Sequence, residues 1–159
     1  MAIQQGDQLP DATLSVMKEG RPSRVSVSEL TAGKKVVIFA VPGAFTPTCS
    51  EHHLPGYVRN SEAIKDKGVS SIVCVAVNDA FVMDAWGKDN DADDIVMAGD
   101  GNGEFAKALG LEMDGSGFGL GMRSQRYAMI VEDGVVTTLA VEAPGDFSVS
   151  RAESILEAL

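Results

Sequence analysis

Two unbroken apolar runs, KKVVIFAVPG (34–43) and SSIVCVAVN (70–78), constrain this chain more than any other feature. Both are rich in β-branched residues and fall well short of the roughly 18 residues of a membrane span. A strand that is apolar at every position, rather than at every second one, belongs in a sheet covered on both faces. Each run is followed by a stretch with helical spacing. Over 49–67, Leu54, Val58, Ala63 and Ile64 fall on one face, and Gly68 supplies a stop. DAFVMDAWGK (79–88) predicts a helix that starts on an Asp cap, DDIVMAGD (93–100) a short strand, and GEFAKALGL (103–111) a short helix closed by Gly110.

The pattern then changes. RYAMIVEDGVVTTLAVE (126–142) is two strands around Asp133-Gly134, a strong hairpin signal. SVSRAESILEAL (148–159) predicts a final helix capped by Ser148 or Ser150. With a short N-terminal hairpin ahead of it, the order is β-α-β-α-β-α-β-β-α. Alternating βα units imply parallel strands covered by helices, and the late hairpin adds antiparallel ones. The expected fold is therefore α/β, a mixed central β-sheet flanked by helices, an architecture of which the thioredoxin-like type is one among others. A length of 159 residues suits one domain, 1–159.

The formal net charge of −10 argues against nucleic acid as a partner, because that binding needs a basic surface. The same charge would be repelled by anionic membranes. The N-terminal MAIQQGDQLPDATL lacks the basic and apolar regions of a secretory signal. Two cysteines, Cys49 and Cys74, make no disulfide scaffold, so a reducing, cytoplasmic compartment is expected, with an organelle reached by a removed transit peptide left open.

The chemistry concentrates in PGAFTPTC, Pro42 to Cys49. Ligand sites in open α/β sheets lie beyond the C-terminal ends of strands, and this segment lies beyond the first long strand. Thr46 suits an N-cap and Pro47 the first helical position. Cys49 then falls in the first helical turn, where unpaired backbone N–H groups and the positive end of the helix dipole stabilise a thiolate. A buried, inert cysteine is the plainer alternative. A metal site built from Cys49, His52 and His53 lacks the paired-ligand spacing of structural zinc, and adjacent histidines point about 100° apart on a helix. The two histidines are expected instead to make local polar contacts, one of them partly exposed. A dithiol oxidoreductase would show C-x-x-C, but Thr46 stands where the second cysteine would be. A threonine hydroxyl both donates and accepts hydrogen bonds, so it can hold an oxygen-containing substrate against the sulfur.

The segment VPGAFTPTCSEHHLPGY resembles the active-site segment of the peroxiredoxins, with their P-x-x-x-T-x-x-C pattern at Pro42, Thr46 and Cys49, and the type II or peroxiredoxin-5 subfamily in particular. The likeness continues through VNDAFVMDAWGK (77–88) and RSQRYAMIVEDGVV (123–136) and covers nearly the whole chain. It implies a thioredoxin-like fold and reduction of hydrogen peroxide and alkyl hydroperoxides, without metal, haem, flavin or other cofactor. Residue by residue, it implies that Cys49 is the peroxidatic nucleophile, Pro42 its shield, Thr46 the peroxide-binding threonine and Arg126 the arginine of the family's R-[YF] segment. Arg123 is a nearby alternative or support, and Gly43 and Thr48 fall in the loop beside the substrate. A permanently charged arginine near Cys49 would favour thiolate and orient the peroxide; read without the resemblance, Arg126 is an ordinary surface or ion-paired residue.

Some members of the family carry a resolving cysteine near the C-terminus, where this chain has GDFSVSRAES. Cys74 lies in a strand expected to be buried on both faces and is read as an inert core thiol. The chain therefore resembles members that work with one cysteine, reduced by an outside thiol: glutathione with glutaredoxin, or thioredoxin. The resemblance also implies a homodimer, with Phe45, Phe81 and Phe118 as candidate contacts. The glycine-rich DGSGFGLGMRSQR (114–126) reads as a flexible active-site or interface loop, and KDNDADD (88–94) as a solvated acidic face. The rival readings are a general thiol–disulfide oxidoreductase and a non-catalytic redox-sensing or chaperone-like protein.

Overall fold

The structure, a computed structural model, describes residues 2–159, with Cys49 described through its backbone alone. A hairpin of β1 (Thr13–Lys18) and β2 (Arg21–Ser26) leads into a short helix α1 (Val27–Thr31) and the first central strand β3 (Lys35–Ala40). A π-helical turn (Cys49–His53) opens into α2 (Leu54–Lys65). There follow β4 (Ser71–Ala76), α3 (Ala80–Asp89), β5 (Ile95–Gly99) and α4 (Glu104–Leu109). A two-stranded ribbon, β6 (Glu112–Asp114) with β7 (Met122–Ser124), precedes the hairpin β8 (Tyr127–Glu132) and β9 (Val135–Val141), and α5 (Ala152–Ala158) closes the chain.

The main sheet runs β2-β1-β5-β4-β3-β8-β9. Strands β5, β4 and β3 are mutually parallel, while β8 lies antiparallel to β3 with Ala40 opposite Tyr127. The sheet is mixed, as expected. The unbroken apolar runs sit at its centre because both faces are covered. One face of β3 and β4 gives Val37, Phe39, Ile72 and Cys74 to a core with Leu54, Tyr57, Met83, Trp86 and Ile155 from the helices. The other gives Val36, Ile38, Val73 and Val75 to a core with Leu14, Phe105, Leu109 and Tyr127. Cys74 stands mid-strand, level with Phe39 on one side and Met97 on the other, and is fully buried.

Local signals explain most boundaries. Asp79 caps α3 by accepting from the Val82 N–H at 2.8 Å. Asp133 and Gly134 both take positive φ, the geometry that a two-residue hairpin needs. Three expectations are corrected. The helical stretch over 49–67 begins as a π-turn, and its buried face is Leu54, Tyr57, Ser61 and Ile64, whereas Ala63 is exposed. The segment 114–126 is not simply a flexible loop: its ends extend into the ribbon, folded back by Gly115 and Gly121, whose backbones hydrogen-bond at 2.7 Å. The last helix starts at Ala152 instead of after Ser148 or Ser150, because both serines bind Glu142. A further helix, α1, was too short to show a period, and Ser26 caps it through the Glu29 N–H.

One glycine matters for the site. A Cβ on Gly99, at the end of β5, would stand 2.6 Å from the Asn78 carbonyl oxygen and 2.9 Å from the Asp79 carbonyl carbon. The turn after β4 crosses there, and Asn78 reaches from it to the loop after β3. Gly99→Ala should therefore destabilise the fold by roughly 1–3 kcal/mol, since rigid backbone has to move. Urea denaturation of the purified variant measures this, and an unchanged midpoint would refute the close approach.

Candidate active site

The loop after β3 and the residue before β8 meet because the two strands are antiparallel neighbours. The C-terminal end of one lies beside the N-terminal end of the other, so Pro42 to Thr48 face Arg126. The loop is tightly bent. Phe45 has a positive φ of 64°, and the Thr46 hydroxyl donates to the Gly43 carbonyl at 2.7 Å. The Ala44 N–H donates to Asn78 Oδ1 at 3.0 Å, which ties the loop to the neighbouring βα turn. Helical geometry begins at Pro47, and the Thr46 carbonyl accepts from the Ser50 N–H at 2.9 Å. Trp86 of α3 braces this turn by donating from its indole Nε1 to Ser50 Oγ at 3.0 Å.

The Cys49 sulfur lies outside the described residues, while the Cys49 backbone lies in the π-turn just after the helix start. Its position two residues past Pro47 agrees with the first-turn setting expected from sequence. Pro42, Thr48 and Arg126 line one pocket of about 360 Å³, together with Met113, Gln125 and the 142–146 segment. Arg123, carried by β7, lies over the loop from another side. Its Nε donates to the Leu120 carbonyl at 3.0 Å and its Nη1 makes a long 3.4 Å contact with the Pro42 carbonyl. A Cβ on Gly43 would meet Arg123 Nη1 at 3.0 Å and Thr46 Cγ2 at 3.2 Å, so a larger residue there would push these two side-chain ends back by a few tenths of an ångström.

Arg126 is half-buried and held by partners the sequence did not reveal. Its Nη1 donates to His53 Nδ1 at 2.8 Å, and its guanidinium carbon stands 5.8 Å from the Phe147 ring centroid. His53 is fully buried, and its Nε2 donates to the Ser150 carbonyl at 3.1 Å. Tyr57 donates to the same carbonyl at 2.7 Å. Glu142 accepts from the Ser148 N–H, the Ser150 N–H and the Ser150 hydroxyl at 2.7–2.8 Å. Burial by itself would raise the Glu142 carboxyl, but these bonds outweigh it and lower its pKa. His52, by contrast, points to solvent. The two histidines diverge, as their adjacent positions on a helix require.

The surrounding fold has clear relatives. A family model described as Redoxin matches residues 4–156. Chloroplastic Peroxiredoxin-2E of Arabidopsis thaliana is 51% identical, with 99% of this chain and 70% of that protein covered. Peroxiredoxin-2B of the same plant is 49% identical, with 97% of this chain and 96% of that protein covered. Among solved structures, reduced Prx3 from Vibrio vulnificus in complex with H2O2 is 61% identical, covers 98% of each chain and superposes with a TM-score of 0.95. This chain belongs to the peroxiredoxin family. It has the family's thioredoxin-like α/β fold and is a thiol peroxidase. Among the described residues, no helix of this peroxiredoxin is long and apolar enough to cross a membrane.

Of the residues singled out from sequence, the structure brings Pro42, Gly43, Thr46, Thr48, Arg123 and Arg126 together around the start of the helix. Cys74 is fully buried in mid-β4. Sequence reasoning expected polar contacts for the two histidines but not their partners: His53 from the π-turn before α2, and Glu142, Ser150 and Phe147 from the 142–151 segment, gather around Arg126. The "HH" pair was the one visible signal, and which of the two turned inward depended on the tertiary fold.

Burial, and then the neighbouring Arg126 charge, hold His53 down to about 3 from its ordinary 6.5, against the opposing pull of Ser150 and Glu142. The unfolded chain therefore binds a proton that the folded peroxiredoxin refuses between those values. This contribution to stability is complete above pH 6.5 and is lost as pH falls from 6.5 toward 3. The thermal unfolding midpoint of the parent should fall as pH drops through the upper part of that window, and His53→Gln, which cannot titrate there, should show a flatter dependence. Parallel curves for the two proteins would contradict a buried neutral His53.

Proposed function

We propose that this peroxiredoxin reduces hydrogen peroxide and alkyl hydroperoxides through Cys49 alone and is recycled by an outside thiol. The observation that carries the reading is the meeting of Pro42, Thr48 and Arg126 in one pocket, with the Cys49 backbone in the helical turn just behind. In this reading the Cys49 thiolate attacks the terminal peroxide oxygen. An S–O bond forms, the O–O bond breaks, and the departing oxygen takes a proton to leave as water or an alcohol. Cys49 is left as sulfenic acid, oxidised by two electrons.

Each neighbour has a task set by its chemistry. The Thr46 hydroxyl proton is committed to the Gly43 carbonyl, so its oxygen is turned to accept the O–H of the hydroperoxide. Arg126 keeps its charge at any working pH, favours thiolate over thiol, and stabilises the charge that moves onto the leaving oxygen. Arg123 reaches over Gly43 to brace the loop at Pro42, and Pro42 and Thr48 line the pocket that Arg126 shares. No cofactor takes part. The working unit is a homodimer joined through Phe45, Phe81 and Phe118, whose 52%, 61% and 88% exposure leaves apolar surface for a second copy. The proposed compartment is the cytoplasm, and the chloroplastic relative makes an organelle the alternative.

Cys49→Ser should hold less than about a tenth of the parent peroxide turnover, because a hydroxyl lacks thiolate character. The same assay run with glutathione and glutaredoxin against thioredoxin and its reductase tests the reductant. Faster turnover with glutathione and glutaredoxin is expected, and turnover with thioredoxin alone would reverse that assignment.

The one-cysteine mechanism rests on Cys74 being buried in mid-β4, between Phe39 and Met97. A disulfide needs Cα atoms roughly 4.4–6.8 Å apart with suitable Cβ directions. Mid-strand burial opposes that unless the first helical turn unwinds. After one equivalent of peroxide without added thiol, intact mass should show one added oxygen on Cys49. Loss of two hydrogens, independent of protein concentration and abolished in Cys74→Ser, would establish an internal disulfide and end the one-cysteine reading.

A further inference from the structure

We propose that Glu112 and Asp146 are specificity-determining residues, which turn anionic hydroperoxides away from the Arg126 pocket and leave it to uncharged ones. The inference rests on the peroxidase reading of this pocket given above and adds which hydroperoxides it admits.

The pocket is larger than its smallest substrate needs. About 360 Å³ lies within the range of sites that take small organic molecules, and hydrogen peroxide would fill only a corner of it. Pro42, Met113, Ala143 and Pro144 supply apolar walls. An alkyl or aryl group carried by the hydroperoxide therefore has surface to cover.

The charges around this space are unequal. Among the described residues, three carboxylates line it, Glu112, Glu142 and Asp146, against the single guanidinium of Arg126. Arg151 approaches the Phe147 ring, 5.1 Å from its centroid, but does not line the pocket. The three carboxylates are not equivalent. Glu142 is buried, and its oxygens are committed to Ser148 and Ser150. Glu112 is half-buried and Asp146 exposed, and among the described residues no hydrogen-bond donor is bound to either carboxylate. Their backbones are nevertheless fixed. Glu112 lies in the β6–β7 ribbon opposite Ser124. Asp146 closes a tight turn, where its N–H donates to the Ala143 carbonyl at 2.9 Å and Gly145 takes a positive φ of 81°.

This arrangement answers a weakness of arginine. A guanidinium is a general receptor for anions and pairs readily with any carboxylate or phosphate. An anionic group on a hydroperoxide would bind Arg126 in place of the peroxide and hold the O–O bond away from the sulfur. Two uncommitted carboxylates on the walls oppose that approach by like-charge repulsion. Hydrogen peroxide and uncharged alkyl hydroperoxides meet no such barrier. Selectivity then comes from a repulsive element directed at the wrong ligand, with Arg126 left available to the right one.

Cumene hydroperoxide and its para-carboxylate derivative test this, since they share a shape and a reacting bond and differ in charge. Second-order rates for both, each normalised to its rate with free cysteine, are measured in the parent, in Glu112→Gln/Asp146→Asn and in Asp93→Asn/Asp94→Asn. The last makes the same change in net charge outside this pocket. Circular dichroism checks that each is folded. In the parent at low salt the uncharged compound should react about tenfold faster, the size expected of two carboxylates acting over several ångströms near a protein surface. Added salt should narrow the gap by screening. The pocket variant should bring the two rates within about twofold and lose the salt dependence, while the Asp93→Asn/Asp94→Asn variant keeps the parent ratio. Equal rates in the parent, an unaltered ratio in the pocket variant, or the same shift in both variants would overturn the proposal. If Cys49→Ser reduces both compounds as fast as the parent, the reading of the site itself fails and the selectivity falls with it.

Discussion

The pairing of β3 with β8 is the constraint on which the rest of the site depends. These central strands run in opposite directions with Ala40 level with Tyr127. A chain leaving β3 and a chain entering β8 therefore meet at the same end of the sheet. This brings Pro42 and Arg126 into one pocket although 83 residues separate them in the chain. A parallel neighbour on that side would have placed the residue before β8 at the far end of the sheet. A one-residue slip would have exchanged the side chains that β8 gives to the two cores, Ala128 and Ile130 on one face for Tyr127, Met129 and Val131 on the other. The apolar runs place these strands at the centre of the sheet, and the fit of each face to its own core keeps the register that assembles the site.

Around that junction the fold invests polar groups in a place where they are costly unless paired. His53, Ser150 and Glu142 are all buried. Among the described residues, no buried side-chain nitrogen or oxygen lacks a hydrogen-bond partner. Each group is satisfied by another on a different segment: the π-turn before α2, the residue after β9, or the segment leading to α5. A network of this kind is worth most when complete, because leaving one member unpaired in a dry interior costs about 1–3 kcal/mol. It gives the 142–151 segment a fixed path over the start of α2. In chemical terms it replaces the mobile solvation of a surface arginine with fixed dipoles.

The site loop is braced from its other side by separate means. Asn78 holds Ala44, Trp86 holds Ser50, and Arg123 reaches Pro42 over Gly43. Gly99 allows the Asn78 turn to lie close enough to do this. The helix start is thus restrained by β4, α3 and the β6–β7 ribbon as well as by its own turn, although its only local devices are Thr46 and Pro47.

The sequence by itself determined what depends on neighbours along the chain. The apolar runs give the central strands, Asp79 and Gly110 bound their helices, Asp133-Gly134 turns the hairpin, and Thr46-Pro47 starts a helix two residues before Cys49. Motif likeness added the family, because P-x-x-x-T-x-x-C is a local pattern. Only the tertiary structure decided matters between distant segments. It chose His53 over His52 as the buried partner of Arg126, turned Ser148 and Ser150 toward Glu142 and away from capping α5, and drew the glycine-rich segment into a ribbon that carries Arg123. The reason is physical: caps, turns and periodicity are enforced within a few residues by sterics and short-range hydrogen bonds. A buried polar group, by contrast, takes its orientation from whichever donor or acceptor the packed sheet and helices bring within about 3 Å.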